Sequence, residues 1–420
     1  MIQAMYSGIS GMKAFKSNLD VIGNNIANVN TVGYKASRAT FKELMIQTLS
    51  GASGPSGSRG GTNPSQVGLG VMIGAVAVDG SQGSMQATGR QTDLGIEGNG
   101  FFAVSDGQSL LFTRDGAFTL DAQNNLVSVG TGLKLLGWTA DPATGVLDTS
   151  EQVTGTSSIT IPVGSLSLAR QTTLVEISSN LDASTPVGGT KEVQFDVFDS
   201  LGVRHAVSIQ FTKTDNPPEW TEWQYDVYCA DASADPAVPV ATGTITFDDG
   251  GHSEVDEAPI SLTLTDPNGS VSPLDMAVKM SSLSFLAGEN TADMTYQDGL
   301  PLGTLESFGI DRSGTVSGTF TNGSTRQLGQ VALATFNNSA GLSKVGGNLL
   351  AESPNSGTPQ IGLPGGGSKG MLSAGFLEAS NVDLANEFAN MIVAQRGFQA
   401  NARIISAADE VLQELVMLKR

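Results

Sequence analysis

The sequence predicts a multidomain, mainly β protein with α-helical coiled-coil termini. Apolar residues recur at alternating spacings of three and four near both ends of the chain, which indicates helices. Between the two ends, short apolar runs alternate with period two and are separated by Gly-rich turns. At 420 residues the chain exceeds what one hydrophobic core usually supports. We therefore expect the N- and C-terminal helices to pair, with β-rich inner and outer domains inserted between them.

The first and last segments carry the heptad spacing of helices that pack side by side. Six of eight positions at this spacing are apolar between Ile2 and Ile26, and eight of ten are apolar between Leu384 and Val416. Such a stripe usually faces the core of its own domain, but here the two stripes lie at opposite ends of a long chain. We therefore predict a self-assembly interface. Its predicted residues are Ile2, Met5, Ile9, Met12, Leu19, Ile26, Leu384, Phe388, Met391, Phe398, Ile405, Leu412 and Val416.

Further apolar residues of the last segment fall outside this stripe. They are Ile392, Val393, Ile404 and Val411. One pair of helices cannot cover both sets of side chains, so we expect neighbouring copies of the chain to bury the second set.

The segment that follows the first helix contains breaks and a weak pattern. The helix should end between Asn28 and Gly33, where Asn and Gly tolerate left-handed backbone geometry. Residues 37–49 have several apolar side chains at helical spacing and predict a second, weaker helix. Residues 50–61 are rich in Gly and Ser and predict a flexible linker.

Short strands with turn signals dominate the middle of the chain. Asp-Gly and Asn-Gly pairs, which favour hairpins, begin at Asp79, Asn99, Asp106, Asp115, Asp249, Asp298 and Asn322. The clearest alternating runs are Val193–Val197, Val207–Phe211, Trp223–Val227 and Ile260–Leu264. This pattern favours sandwich or barrel domains. The predicted division is a helical domain (1–35 with 378–420), a linker (36–70), an inner β domain (71–150 with 300–370) and an outer β domain (151–299).

Composition excludes several classes of partner. Lys and Arg number 22 against 41 Asp and Glu, a net charge of -19, so nucleic acid and anionic lipid are poor partners. The single cysteine, Cys229, excludes an intrachain disulfide, and its position in an alternating run predicts burial. No apolar run is long enough to cross a bilayer, and no cleavable leader pattern is present. We expect no membrane insertion, and export without leader cleavage.

Signals for catalysis are weak. The two histidines, His205 and His252, are far apart in the sequence and predict structural roles. Gly366–Gly370 matches G-x-S-x-G but follows a Pro- and Gly-rich stretch instead of a strand. Gly98–Ala103 imitates a dinucleotide loop, yet Phe101 begins a strand, so we predict a hairpin turn. We predict no catalytic residue, no cofactor and no metal site.

Several longer motifs resemble those of a known family, the axial proteins of the bacterial flagellum, which include hook and rod proteins. The motifs are Ser7–Gly11, Asp20–Lys35, Leu94–Phe102, Phe112–Phe118, Asn381–Leu384 and Met391–Ala402. They cover both ends and the first β region. Residues 150–300 match only in being β-rich.

The resemblance implies a structural subunit of the hook that self-assembles into a hollow curved tube. Such a tube acts as a universal joint that transmits torque from rod to filament. The implied partners are other copies of the chain, the distal rod, the hook cap, the hook–filament junction proteins and the flagellar type III export apparatus. The implied location is the flagellar hook outside the cell.

Three alternatives remain open from the sequence. A distal rod subunit shares the terminal motifs, although we expect it to lack a large outer domain such as residues 150–300. A fibre or adhesin with β heads on a coiled-coil stalk belongs to a different class. An enzyme such as a glycan hydrolase, with paired carboxylates, would need an acid pair that the sequence does not indicate.

Overall fold

The computed structural model describes residues 2–55, 59–141, 145–164, 167–214, 222–232, 238–265 and 268–418. The chain divides into two compact units. The first unit comprises residues 1–161, 309–317 and 327–420, and the second comprises residues 162–308 and 318–326. The division into four segments that the sequence suggests is finer than this and stays a prediction.

Two long helices lie at the ends of the chain, α1 (Ile2–Ala27) and α2 (Leu384–Leu418). α1 ends where the sequence predicts: Gly33, in the following turn, has a φ of +68°. A Cβ atom there would also lie 2.7 Å from the backbone of Arg114, so two constraints require glycine. Asp383 caps the start of α2, because its Oδ1 accepts a 2.8 Å hydrogen bond from the Ala385 N–H.

The strands fill the region between the helices. In chain order the first are β1 (Ser37–Glu43), β2 (Ile46–Ser50), β3 (Ser65–Gly68), β4 (Val71–Val78), β5 (Met85–Ala87), β6 (Leu94–Glu97), β7 (Phe101–Ser105), β8 (Leu110–Thr113), β9 (Phe118–Leu120), β10 (Leu126–Ser128), β11 (Lys134–Leu135) and β12 (Gly137–Thr139). Next come β13 (Ser167–Arg170), β14 (Leu174–Asp182), β15 (Thr190–Phe198), β16 (Arg204–Lys213), β17 (Glu222–Cys229), β18 (Ala241–Thr246), β19 (Glu257–Leu262), β20 (Leu274–Lys279), β21 (Leu283–Leu286) and β22 (Asp293–Gln297). The last are β23 (Leu300–Ile310), β24 (Thr315–Phe320), β25 (Thr325–Val331), β26 (Leu333–Thr335), β27 (Ser343–Gly346), β28 (Leu349–Ala351), β29 (Gln360–Gly362), β30 (Met371–Ala374) and β31 (Phe376–Glu378), with a 3-10 turn at Ser339–Gly341.

The β part of the first unit is centred on an antiparallel sheet. Its strand order is β27-β28-β8-β7-β11-β10-β9, and β26 pairs with both β7 and β29. Aromatic side chains fill the core in edge-to-face pairs. The rings of Phe102 and Phe118 are 5.2 Å apart at 84°, and those of Phe112 and Phe336 are 4.8 Å apart at 85°. This geometry is the one that aromatic quadrupoles favour.

The second unit packs two sheets around one hydrophobic cluster, as the alternation predicts. One sheet is antiparallel, in the order β15-β16-β17-β18, and the other has the order β19-β20-β14-β21. All four alternating runs that the sequence singles out bury their apolar members. Trp223 and Ile209 from the first sheet and Ile260 and Val278 from the second belong to the same buried cluster. The arrangement is that of a sandwich.

Residues 37–49 form strands, so the predicted second helix is wrong. β1 pairs antiparallel with β4, and β2 pairs antiparallel with β3. Together these four strands, residues 37–78, form what we call the β arm. Within the stretch predicted as a linker, residues 37–43, 46–50 and 65–68 lie in paired strands, and residues 56–58 lie outside the described ranges. The strand partners of β1 are about 30 residues further along the chain, so a local helical pattern could not reveal them.

The Asp-Gly and Asn-Gly signals are only partly hairpins. Asp106 and Gly107 join the paired strands β7 and β8, and Asn322 and Gly323 lie between the paired strands β24 and β25. The predicted hairpin at Asn99 is wrong, because β6 pairs with β30 whereas β7 pairs with β8, β11 and β26. A dipeptide fixes a local turn, but it does not determine which strands pair beyond it.

Two residues with reactive side chains, Cys229 and His205, are buried in the second unit. Cys229 is buried on β17, as predicted, and burial raises the pKa of its thiol. His205 is buried on β16, with its Nδ1 2.8 Å from Asp231 Oδ2. Within the described ranges, neither helix combines the length and the apolar character needed to cross a membrane.

Asp298 is a buried carboxylate in the second unit. Its oxygens accept hydrogen bonds from the backbone N–H groups of Thr173 and Leu174 and from the Thr173 hydroxyl, at 2.6–2.9 Å. Burial acts to raise the pKa of Asp298, but these hydrogen bonds and one from Arg170 outweigh burial and hold the pKa below its ordinary value of 3.8. The ionised carboxylate therefore stabilises the folded state above that value, and this stabilisation is lost as pH falls through the lowered pKa.

Asp298→Asn should lower the free energy of unfolding by about 2 kcal/mol at pH 7, since an amide NH₂ would then face donors. The deficit should shrink near pH 3, where wild type loses the same stabilisation. Urea unfolding at both pH values measures this difference. Asp249→Asn, at an exposed position, is the control and should match wild type. A deficit for Asp298→Asn that does not change with pH contradicts the assignment.

Candidate self-assembly interface

The terminal helices pair antiparallel, which confirms the expected pairing. Near the start of α1, Gly8 lies against Asn401 and Ile405 of α2. Further along α1, Phe15 lies against Gly397. Later residues of α1 therefore contact earlier residues of α2. This order shows that the two helices run antiparallel.

Small residues form the closest part of this contact. We call Gly8, Gly11 and Phe15 of α1, with Gly397 and Asn401 of α2, the helix seam. A Cβ atom on Gly11 would lie 2.7 Å from Asn401 Oδ1, and one on Gly397 would lie 2.6 Å from the Phe15 ring. Both distances are shorter than van der Waals contact. The backbones therefore approach closely because glycine stands at these positions.

The helix seam lies about one residue away from the predicted apolar stripe. Of the predicted residues, the half-buried ones are Met5, Ile9, Met12, Leu19, Ile26, Met391, Ile405 and Leu412. The exposed ones are Leu384, Phe388, Phe398 and Val416. Ile2 begins α1, but its side chain lies outside the described part of the structure. A search for large apolar residues passes over glycine, which is why the sequence did not indicate the seam.

Further apolar side chains of α2 are exposed outside the closest helix contacts. Phe388, Ile392, Val393, Ile404 and Val411 are between 43% and 66% exposed. We call these five residues the α2 outer face. Ile404 lies at the edge of the seam, where its Cγ2 would be 3.7 Å from a Cβ atom on Gly8. Exposed apolar side chains on one helix mark an interaction surface.

The β arm adds apolar surface beside α1. Phe41 of the arm packs on Phe15, with ring centroids 5.6 Å apart. The Val71 N–H donates a 3.2 Å hydrogen bond to Ser10 Oγ. The exposed large apolar side chains of the arm are Phe41, Leu44, Met45, Ile46, Leu49, Val67, Met72 and Val76. The sequence did not indicate this surface, because its pattern predicted a weak helix over residues 37–49 and a linker over residues 50–61.

Asn25 joins the end of α1 to α2 and to the start of the β arm. It is buried, and its Oδ1 accepts hydrogen bonds from the Ser37 N–H at 2.9 Å and the Tyr34 hydroxyl at 3.2 Å. Its Nδ2 donates to the Ser37 carbonyl at 2.8 Å and to Glu387 Oε1 at 3.2 Å. The Asn25 amide thus hydrogen-bonds to groups on Tyr34, Ser37 and Glu387. A side chain of different shape would leave these polar groups without their partners.

A buried ion cluster lies next to this junction. Glu378, just before α2, is 1% exposed, and its Oε1 accepts hydrogen bonds from Lys35 Nζ at 2.6 Å and the Gly83 N–H at 2.9 Å. Arg114 Nη1 donates to Glu378 Oε2 at 3.0 Å. We call Lys35, Arg114 and Glu378 the Glu378 cluster. It joins the segment after the α1 turn, a turn of the β part and the end of β31, the last strand before α2.

Burial and charge oppose each other in the cluster. Burial lowers the pKa of the Lys35 ammonium and that of the Arg114 guanidinium, while Glu378 acts to raise both. The cations stay paired because the carboxylate compensates for their lost hydration. Lys35 and Arg114 both lie inside the family motifs, Asp20–Lys35 and Phe112–Phe118. Nothing in the sequence showed that the two cations share the carboxylate of Glu378, which is 264 residues beyond Arg114.

Four family models match the chain. They are the flagella basal body rod protein (residues 5–35), the flagellar hook protein FlgE/F/G D1 domain (95–180), the flagellar basal body protein FlaE D2 domain (167–300) and the flagellar basal body rod FlgEFG protein C-terminal (373–418). The flagellar hook protein FlgE of Treponema pallidum is 36% identical over 476 residues, covering 100% of both chains. The chain belongs to the flagellar hook protein family. FlgE of Salmonella typhimurium is also 36% identical, covering 98% of each chain.

Two further similarities bear on hook versus rod and on the fold. The flagellar basal-body rod protein FlgG of Bacillus subtilis is 32% identical and covers 100% of both chains. A relative named as a rod protein therefore spans residues 150–300 as well, so chain length does not distinguish a hook subunit from a rod subunit. The crystal structure of the Helicobacter pylori hook protein FlgE2 matches with a TM-score of 0.50 at 15% identity, covering 70% of this chain and 100% of that one. This similarity supports the fold.

The Glu378 cluster predicts a large effect of one neutral substitution. Glu378→Gln should lower the free energy of unfolding by about 3 kcal/mol or more, because it leaves two buried cations without their carboxylate. Glu352→Gln, at an exposed position of the same unit, should change it by less than about 0.5 kcal/mol. Urea unfolding of the full chain measures both values. Equal effects would show that the cluster contributes little.

The helix seam predicts opposite results for two glycines of α1. Gly11→Leu should weaken helix pairing by about 1–3 kcal/mol, because the added side chain has no room beside Asn401. Gly23 has no atom within 4 Å of its Cβ position, so Gly23→Leu should leave pairing unchanged or slightly improve the helix. Thermal melts followed by circular dichroism at the helical band report α1 and α2. Equal melts of the two variants would disprove close backbone contact at Gly11.

Proposed function

We propose that this chain is a structural, non-catalytic subunit of the bacterial flagellar hook. Copies of it would assemble into a hollow curved tube that acts as a universal joint and transmits torque from rod to filament. Membership of the hook protein family supports this role. The single observation that carries it is the α2 outer face, an apolar surface that one chain leaves exposed.

The two sides of α2 have different tasks in this proposal. The side with Gly397 and Asn401 pairs with α1 of the same chain. The α2 outer face and the exposed predicted residues Leu384, Phe388, Phe398 and Val416 contact neighbouring copies. Exposed apolar side chains of the β arm extend the same surface. Burying a large apolar side chain contributes roughly 1.5–3 kcal/mol, so even a few such residues favour assembly.

The predicted division of the chain fits a tube built in layers. The helical domain (1–35 with 378–420) would form the inner wall, where apolar contacts resist torsion. The inner and outer β domains, 71–150 with 300–370 and 151–299, would complete each subunit. The buried core of the second unit and its acidic composition suit a domain whose outer contacts are polar and hydrated.

The proposed partners follow from the family. They are other copies of the chain, the distal rod, the hook cap, the hook–filament junction proteins and the type III export apparatus. The proposed location is the hook, outside the cell, reached without leader cleavage. Nucleic acid is not a proposed partner, since the net charge is -19.

A distal rod subunit is the second candidate, and the full-length similarity to a rod-named protein favours keeping it. The two roles differ in the shape of the polymer. A rod subunit would form straight tubes, whereas a hook subunit would form curved ones. A β-headed fibre with one continuous stalk is less compatible with helices at both ends.

One substitution on the α2 outer face tests the proposal. Val393→Asp should raise the concentration needed for polymerisation about 100-fold, because assembly would bury an unpaired carboxylate. The control is Val129→Asp in the β part, where the valine is 59% exposed against 66% for Val393. It should polymerise like wild type. Sedimentation measures the polymerised fraction, and electron microscopy records the shape of the tubes.

The outcomes separate the candidates. Curved tubes from wild type support the hook, and straight tubes favour the rod. Normal tubes from Val393→Asp would disprove that the α2 outer face contacts other copies. A wild-type chain that forms no polymer under any condition would remove both candidates. Circular dichroism of the monomers checks that each variant keeps its helices.

A further inference from the structure

The first unit contains a cavity that assembly through the helices does not use. It has a volume of ≈ 470 Å³ and lies beside the end of α1. Its lining combines aromatic rings with cations: Tyr34, Phe101, Phe336, Lys35, Arg114 and Lys344. Among its described lining residues there is no Asp or Glu. We call it the Lys344 cavity. Its volume is within the range of small-molecule sites.

The cavity is lined by more cations than nearby carboxylates can neutralise. Lys35 and Arg114 share the carboxylate of Glu378, and Asp79 attracts Lys35 from further away. Lys344 has no carboxylate within ion-pair distance in the part of the chain that the structure describes. Its Nζ donates a 3.0 Å hydrogen bond to Ser37 Oγ and lies 5.3 Å from the centre of the Tyr34 ring. An excess cation therefore faces the cavity in a chain of net charge -19.

Arg114 also lines the cavity, but it offers no free donor there. It is 7% exposed, and its Nη1 and Nη2 bind Glu378 Oε2 and the Gly98 carbonyl. Its Nε has no hydrogen-bond partner among the described residues and is closed to solvent, so a ligand in the cavity does not reach it. Burial also lowers the pKa of the Lys344 ammonium, and an anion beside it would reverse that effect.

We propose that the Lys344 cavity binds a carboxylate carried on an apolar group. The carboxylate would accept a hydrogen bond from the Lys344 ammonium. The apolar part would pack on Phe101 and Phe336. The same chemistry can come from a free aromatic acid or from an acidic side chain of a second copy of the chain. The proposal does not depend on the hook role, except where the second source is tested.

The first experiment uses naphthylacetate as the probe, with the monomeric full-length chain, and measures binding by calorimetry. Naphthylacetamide, which has the same ring but no charge, should not bind measurably. Lys344→Gln should weaken naphthylacetate binding about tenfold or more, the effect of losing one charge-assisted hydrogen bond. Arg90→Gln removes an exposed cation of the same unit that does not line the cavity, and it should bind like wild type.

Three results would overturn the proposal. They are no binding of naphthylacetate to the wild-type monomer, equal binding of the amide, and equal affinity of Lys344→Gln and wild type. Since the Lys344 side chain makes one hydrogen bond to Ser37 Oγ and no ion pair among the described residues, its substitution should leave the fold intact, and circular dichroism checks this.

The second experiment distinguishes the two sources by measuring probe binding to assembled polymer. If a neighbouring copy fills the cavity with an acidic side chain, polymer should no longer bind naphthylacetate although monomer does. If the natural ligand is a free acid, polymer and monomer should bind it alike. Failure of the chain to polymerise would count against the hook role but would leave the monomer result standing.

Discussion

The buried carboxylate of Glu378 holds together segments that are far apart along the chain. Lys35 follows the turn after α1, Arg114 lies in the β part, and Glu378 ends β31, the last strand before α2. Removing this many charged groups from water is costly unless every one of them is paired. The cluster meets this condition for the carboxylate, which accepts bonds from both cations and from a backbone N–H. Because both helices leave the β part beside this point, their antiparallel pairing follows from the geometry of the junction.

The helix pair is asymmetric in a way that suits assembly. Its closest contacts use glycine and asparagine, which let the two backbones approach closely, while several larger apolar residues of α2 stay exposed. Close approach gives good packing over a small area, so the chain keeps much of its apolar surface unused. In an ordinary monomer this surface would be a liability. In a subunit of a polymer it is the surface that neighbours bury.

The two units differ in how complete they are. The second unit has a continuous core between two sheets and satisfies its buried carboxylate, Asp298, internally. The first unit exposes the apolar side chains of the α2 outer face and of the β arm, and its Lys344 has no carboxylate within ion-pair distance among the described residues. Stability and assembly are thus assigned to different parts of the chain. A core that needs no neighbour can tolerate shifting contacts, whereas the helices and the arm depend on them.

The sequence by itself determined those features that local periodicity encodes. Heptad spacing predicted both helices, period-two alternation predicted the strands of the second unit, and Asn28–Gly33 predicted the end of α1. Tertiary structure decided what depends on residues distant in sequence. β1 became a strand because Val71–Val78 pairs with it, and the seam moved to Gly11 and Gly397 because contact distance, not hydrophobicity, selects residues there. The Glu378 cluster joins positions hundreds of residues apart, and an ion pair leaves no periodic trace in a sequence because it needs only one residue from each segment.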